Sequence, residues 1–429
     1  MSKISKIDAI QILDSRGVPT VSARVSLDSE ITAYSMVPSG ASTGSREAVE
    51  LRDKAQPFKG NAVSKAVNNI NSTINQSLAG ESIYNQQAID LLMNKLDGTP
   101  NKANLGANAI LAVSLGVLKA AANDQKLQLF QYVNALYREI FSTELTMNLP
   151  IPMMNIINGG EHANNNIDIQ EFMIMPIGAS SFAEAVMWCA EIYQALKSEL
   201  NSSKHSTAVG DEGGFAPNLR SNREALDLIE RSVKIAGYNF GTDIALSLDC
   251  AASEFYRDGK YILQGDNSSL SSIEFAAYLD ELVGMYPIVS IEDGMDENDR
   301  EGWKILTDLM GSRCRLVGDD LFVTNVDELQ KGIDDNIGNA ILVKINQIGT
   351  ITETLETIKL ANANNYSAIM SHRSGETEDN SISDLAVGLG VGQIKTGAPC
   401  RSDRNAKYNR LLWIENDFPE IKYAEFNLD

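Results

Sequence analysis

The chain has 429 residues, 43% of them hydrophobic, which is more than one ordinary compact core holds, so a large domain with a smaller companion is expected. Lys and Arg total 36 against 57 Asp and Glu, for a net charge of −21, a field that repels nucleic acid and anionic membranes and argues against both as partners. No window approaches the roughly eighteen apolar residues that cross a bilayer, and the polar start MSKISKIDAI has no signal-peptide core, so a soluble cytoplasmic protein is expected.

The first elements read as antiparallel strands: KIDAIQIL, TVSARVSL and ITAYSMVP are strand-length runs separated by turn residues. Helical periodicity follows in NAVSKAVNNINSTINQSL, NQQAIDLLMNKL and GANAILAVSLGVLKAAAND. Residues 1–140 therefore form an α+β cap domain. From Pro150 the texture changes and strands alternate with helices, which predicts a catalytic α/β barrel over 141–429. Its eight expected strands are IQEFMIMP, STAVGDE, DIALSLD, YPIVSIED, RLVGDD, AILVKIN, YSAIMSH and GQIKTG, the number that closes a barrel. Helix starts are marked by Ser181 with Glu184, Ser221 with Glu224, Ser271 with Glu274 and Thr350 with Glu353, each a hydroxyl followed three residues on by an acid. Cys189, Cys250, Cys314 and Cys400 are far apart and form no CxxC pair, so reduced, mostly buried thiols are expected.

Seven ionisable residues stand at the downstream ends of these runs: Glu212, Asp249, Glu292, Asp319, Lys344, His372 and Lys395. Such positions form the mouth of an α/β barrel, where that fold places its chemistry. Asp249, Glu292 and Asp319 are carboxylates without His or Cys among them, a donor set suited to Mg²⁺. Each alone is equally well explained as a cap or a salt-bridge partner, but three converging without a cation would repel one another. Lys344 and Lys395 sit inside apolar runs, where desolvation makes a lysine a plausible general base and carboxylate neighbours oppose this. Glu212 lies in the glycine-rich AVGDEGGFAP, and Glu171 in QEFMIMP offers a second carboxylate across from a lysine. In SHRSGETED, Arg373 and Ser374 beside His372 make a grip for a phosphate or carboxylate oxygen. The loops PSGASTGSRE, with Ser42, and INGGEHANNN, with His162, are candidate lids and lack nucleotide-binding spacing.

The strings DSRGVPTV, PSGASTG, NIINGGEHA, QEFMIMP, VGDEGGFAPN, LDCAASEFY, IEDGM, GDDLFVTN, VKINQIGT, SHRSGETED, GQIKTGAPCRSDR and AKYNRLL together resemble the enolase family over nearly the whole chain. The resemblance implies a lyase interconverting 2-phosphoglycerate and phosphoenolpyruvate, with Lys344 removing the C2 proton and Glu212 assisting loss of the C3 hydroxyl. It implies two Mg²⁺ ions, one held by Asp249, Glu292 and Asp319, the other arriving with substrate and contacted by Ser42. Arg373 and Ser374 would hold the phosphate and Lys395 the carboxylate, with Gln170, Glu171, His162 and His372 as further substrate contacts. It also implies a homodimer or larger homo-oligomer and a barrel that begins irregularly, with two strands and two helices before regular alternation. Val18 stands where the family usually has Asn, and Ser22-Ala23 where an acid is common; both lie outside the catalytic set. Two other readings are a superfamily relative acting on an unphosphorylated acid, against which SHRSGE argues, and a non-catalytic structural or surface-binding protein, which loss of a catalytic residue would favour. No catalytic position is lost.

Overall fold

The computed structural model describes residues 2–41 and 43–428. Strands β1 (Ile4–Leu13), β2 (Pro19–Leu27) and β3 (Thr32–Met36) form an antiparallel sheet in that order. The turn between β1 and β2 is fixed by Asp14, whose Oδ1 accepts from the amides of Arg16 at 2.8 Å and Val18 at 2.9 Å, while Gly17 takes the left-handed φ of +73° that the turn requires. On the sheet lies the helix Ala107–Asp124, buried on nearly all sides as its continuously apolar sequence demands. Around it pack the helices Gln86–Asp97 and Leu129–Phe141, and a helical run from Ser64 to Leu78 that widens to a π turn at Ile70–Ile74.

The second unit is a closed eight-stranded barrel. Its strands are β4 (Ile151–Asn158), β5 (Glu171–Met175), β6 (Ala245–Asp249), β10 (Ile288–Glu292), β11 (Arg315–Gly318), β12 (Ala340–Val343), β13 (Ser367–Ser371) and β14 (Gln393–Lys395); β7 (Tyr256–Arg257), β8 (Lys260–Leu263) and β9 (Ser268–Leu270) make a small sheet outside it. The order around the barrel is β10-β11-β12-β13-β14-β4-β5-β6. Every neighbouring pair is parallel except those of β5, which runs antiparallel to both β4 and β6. Two helices, Phe182–Ser202 and Asn222–Ala236, intervene between β5 and β6, which is the irregular start that the resemblance implied. Ile151, Met153, Met173, Val317, Leu342 and Ile369 fill the interior, so the barrel is a packed core rather than a pore.

One expected strand is not a strand. Residues 206–212, STAVGDE, form the loop between those two helices, touching β structure only through isolated bridges such as Val209 with Phe215. The run is too exposed for a barrel wall, with Val209 39% accessible. Its place is taken by β4, IPMMNIIN, buried at every position, the continuous apolar pattern of a strand covered on both faces. Pro150 and Pro152 disguise it, since proline removes a ladder donor. Pro152 is accommodated because the antiparallel pairing with β5 begins only at Met154.

The helix starts follow the caps foreseen: Ser181, Ser221, Ser271 and Thr350 each accept from the amide three residues on. The reciprocal bond of a full capping box forms only at Ser271; Glu184 and Glu224 reach one residue further back, to the amides of Ser180 and Arg220. Three cysteines are buried and Cys400 half-buried, all as free thiols. Among the described residues no helix is long and apolar enough to cross a membrane.

The two units are pinned together at several points. Asp90, in the helix Gln86–Asp97, accepts from Thr352 N at 3.0 Å and Thr352 Oγ1 at 2.6 Å at the start of the barrel helix Ile351–Ala363. The helices Leu129–Phe141 and Ser381–Leu389 touch backbone to backbone at Gly388, where an added Cβ would lie 2.4 Å from the Phe130 carbonyl oxygen. Alanine gains up to about 1 kcal/mol in helix propensity, but forcing two backbones apart costs roughly 1–3 kcal/mol. Gly388→Ala should therefore lower the urea midpoint of unfolding; an unchanged or raised midpoint would show that this contact is not tight.

Candidate active site

The C-terminal rim of the barrel collects the charges. Asp249, Glu292 and Lys395 are the last residues of β6, β10 and β14, while Asp319, Lys344 and His372 directly follow β11, β12 and β13. Because β5 is reversed, its first residue, Glu171, reaches the same rim, opposite Asp249 in register; Glu292 is the partner of Asp249 on the other side. Glu212 joins them from the loop between the two helices, not from a strand end, and is held by β4 through Asn155 Nδ2 at 3.1 Å.

One ammonium group organises the carboxylates. Lys395 Nζ lies 2.7 Å from Glu292, 3.0 Å from Asp249 and 3.2 Å from Glu171. Burial works against its charge, but Asp249, Glu171 and Glu292 prevail and hold its pKa well above the ordinary lysine value. A single positive charge does not balance three carboxylates. Burial pushes Glu292 and Glu171 well above the usual range, reinforced by the charges of Asp249 and Glu212 respectively. Asp249, although burial opposes it, is held down by Lys395. Like charges ~4 Å apart repel by about 4 kcal/mol at an effective dielectric of 20.

Beside this group, Asp319 is ion-paired with Lys344 and accepts from Gln347 Nε2 at 2.8 Å. Its oxygens and those of Asp293 and Asp320 come within 4.8 Å of one another. Asp293 accepts from the amides of Asp319 at 2.9 Å and Asp320 at 3.0 Å, which fixes the turn that presents Asp319. Asp249, Glu292 and Asp319 thus occupy neighbouring barrel strands as buried, all-oxygen donors with an excess of negative charge, and Gln170 Oε1 adds a buried oxygen without a hydrogen bond. Their donor chemistry suits a hard divalent cation such as Mg²⁺, while in this structure Asp249 and Glu292 turn to Lys395 and Asp319 to Lys344.

Across the cavity, Glu212 lies among imidazoles. Its Oε1 is 3.3 Å from His372 Nε2 and 3.7 Å from His162 Nε2, and His162 Nδ1 is 3.4 Å from Glu171. Burial pushes both imidazoles down, His372 to about 3. Burial also opposes the Glu212 carboxylate, and positive charge on the two rings would pull it down, but His372, depressed to about 3, does not carry that charge at neutral pH. We assign a neutral His372, with Glu212 supported by Asn155.

Arg373 and Ser374, expected to grip an anion, are paired within the protein. Arg373 makes a two-pronged pair with Glu47, 3.0 Å at each prong, and reaches Asn346 Oδ1 at 3.3 Å; Ser374 Oγ lies 3.0 Å from His162 Nε2. Ser39 and Gly375 exchange backbone hydrogen bonds, both 2.8 Å, stitching the N-terminal loop to SHRSGE. Ser42 lies in that loop but outside the described residues.

One cavity is lined by His162, Gln170, Glu171, Glu212, Asp249, Lys344, His372, Arg373, Ser374 and Lys395; Glu292 and Asp319 join it through the two lysines. The sequence pattern does not single out Glu47, Asn155, Gln347 and Arg404, nor Asp293, Asp320 and Asn346. All are polar residues in otherwise recognisable strings, and nothing in their spacing distinguishes them from surface positions. Arg404 is fully buried and hydrogen-bonds to the carbonyl of Arg373 at 2.6 Å.

The mixed barrel with carboxylates and lysines at its rim and the sheet-and-helix unit that precedes it, together with the matching family models, place the chain among lyases of the enolase superfamily. Residues 146–427 match the family model described as enolase, C-terminal TIM barrel domain, and residues 4–133 that of the enolase N-terminal domain. The chain belongs to the enolase family.

The depressed pKa of His372 has a measurable consequence. An unfolded histidine titrates near 6.5, so below that pH the unfolded chain takes up a proton that folded His372 refuses. The corresponding stability is complete above about 6.5 and declines as pH falls toward 3. Nitrogen NMR of the imidazoles between pH 8 and 5 should show no titration of His372; a midpoint near 6.5 would contradict its burial as a neutral ring.

Proposed function

We propose that the protein interconverts 2-phosphoglycerate and phosphoenolpyruvate plus water. The observation that carries this reading is a single cavity lined by a lysine, Lys344, a carboxyl group, Glu212, and the polar groups of Lys395, Arg373 and Ser374. A base, an acid and cations for two anionic groups are what elimination of water from a phosphorylated hydroxy acid needs.

In this reading the Lys344 amine accepts the proton from C2, and the C3 hydroxyl departs as water with a proton from Glu212. Negative charge develops on the substrate carboxylate, where Lys395 stabilises it more than in the ground state. Arg373 and Ser374 grip the phosphate, which takes the place of Glu47 as the partner of the guanidinium. Gln170, Glu171, His162 and His372 line the reacting carbons and exclude water. Asp249, Glu292 and Asp319 would hold Mg²⁺, with Ser42 on a second ion; bound metal supplies positive charge beside the forming enolate, and the lysine-plus-Mg²⁺ pairing is a known property of the superfamily. In the free site Lys344 is paired with Asp319 and held charged, so proton abstraction requires that pair to open. A phosphorylated substrate is favoured over an unphosphorylated acid because Arg373 and Ser374 line the same cavity as Lys395, giving a second anionic group its own cation and hydroxyl.

The test is to strip metal from the purified protein and follow phosphoenolpyruvate formation from 2-phosphoglycerate with and without added Mg²⁺. Activity should appear only with the metal, and its absence under both conditions would sink the reading. Lys344→Ala should lower kcat by about 10²–10⁴-fold while Mg²⁺ binding is retained. Near-normal turnover by that variant would overturn the base assignment.

A further inference from the structure

The helix Ser402–Asp417 carries two fully buried cations, Arg404 and Lys407, and neither lines the cavity. Lys407 is structural: its Nζ donates to Glu376 Oε2 at 2.8 Å and to the carbonyls of Thr377 and Asp403, both 2.7 Å. Arg404 reaches further. Nη1 lies 2.6 Å from His372 Nδ1 and 2.6 Å from the Arg373 carbonyl, while Nη2 donates to the Asp211 carbonyl at 3.0 Å and to that of Ser374.

A guanidinium has donors only and does not lose its proton at any pH a protein survives. The group facing His372 Nδ1 is therefore an N–H, and Nδ1 must present its lone pair. This excludes both the Nδ1–H tautomer and the imidazolium, in which two N–H groups would meet head-on in a buried site. The single ring proton stands on Nε2, which lies 3.3 Å from Glu212 Oε1 without a hydrogen bond formed to it in the free site. The other tautomer would turn a lone pair toward that carboxyl group.

We propose that Arg404 is a positioning residue that locks His372 in its Nε2–H tautomer, so that the ring donates toward Glu212 and orients this carboxyl group for the leaving hydroxyl. Through the carbonyls of Asp211 and Ser374 the same guanidinium ties the loop of the acid to the loop of the anion grip. The helix behind the site thus sets a hydrogen-bond direction at the reacting atoms without touching substrate. The catalytic part of this inference rests on the assignment of Glu212 as the acid; the tautomer does not.

The test uses the intact protein labelled with ¹⁵N-histidine. The chain has three histidines, and His205→Gln, outside the site, removes one signal for assignment. At pH 7, long-range proton–nitrogen spectra should show His372 protonated at Nε2 and bare at Nδ1. Arg404→Lys keeps a cation but loses the fork: it should give a mixture of tautomers and lower kcat about tenfold or more, with a smaller change in KM. An Nδ1–H or doubly protonated His372 in the wild type overturns the proposal. So does an Arg404→Lys protein that keeps the single tautomer with kcat within about twofold. If Arg404→Lys does not fold, the wild-type spectrum decides alone. An Nε2–H tautomer in a wild-type protein inactive on 2-phosphoglycerate would sink the substrate reading and support the lock.

Discussion

Everything at the mouth of the barrel follows from burying more carboxylates than cations in one place. Glu171, Asp249 and Glu292 share the single ammonium of Lys395, and Asp319 holds Lys344. Such crowding is costly in a low-dielectric site and persists only because the strands impose it. Register makes Asp249 the direct partner of both Glu171 and Glu292, so side-chain rotation alone does not disperse the charge. Under the proposed function this surplus is balanced by positive charge from outside, and an anionic substrate is then compatible with a chain of net charge −21.

The irregularities of the fold serve this arrangement. Reversal of β5 turns the beginning of a strand toward the rim and adds Glu171 to a set that a regular barrel would not give it. The two helices inserted before β6 free the loop that carries Glu212 from the barrel wall, and Asn155 of β4 then holds it. Glu212 thereby stands beside His372 and His162, and His162 connects it to Glu171 of the Lys395 cluster. On the far side, Glu47 of the cap pairs with Arg373, so the N-terminal unit takes part in the site as well as covering it.

Much of this was legible in the sequence because barrel strands are short apolar runs ending in a charge. Asp249, Glu292, Asp319, Lys344, His372 and Lys395 announce themselves that way, and the strand ends converge as the pattern requires. The error at 206–212 has a clear origin. STAVGDE ends in an acid and so imitates a strand, whereas the true strand, IPMMNIIN, carries no terminal charge and contains a proline. Arg404 and Glu47 were not legible for a different reason. Their roles depend on which helix face or loop meets the barrel rim, information carried by tertiary packing and not by local periodicity. The orientation of β5 was equally hidden, since a strand's direction in a sheet leaves no mark on its own residues.

The central claim is that the surplus of buried carboxylates is a cation site. Calorimetric titration of Mg²⁺ into the metal-stripped protein, in the absence of substrate, tests it most directly, with Asp249→Asn and Glu292→Gln as the comparison. Saturable binding to the wild type, lost or greatly weakened in both variants, is expected. Equal binding by wild type and variants, or none by the wild type, would contradict it.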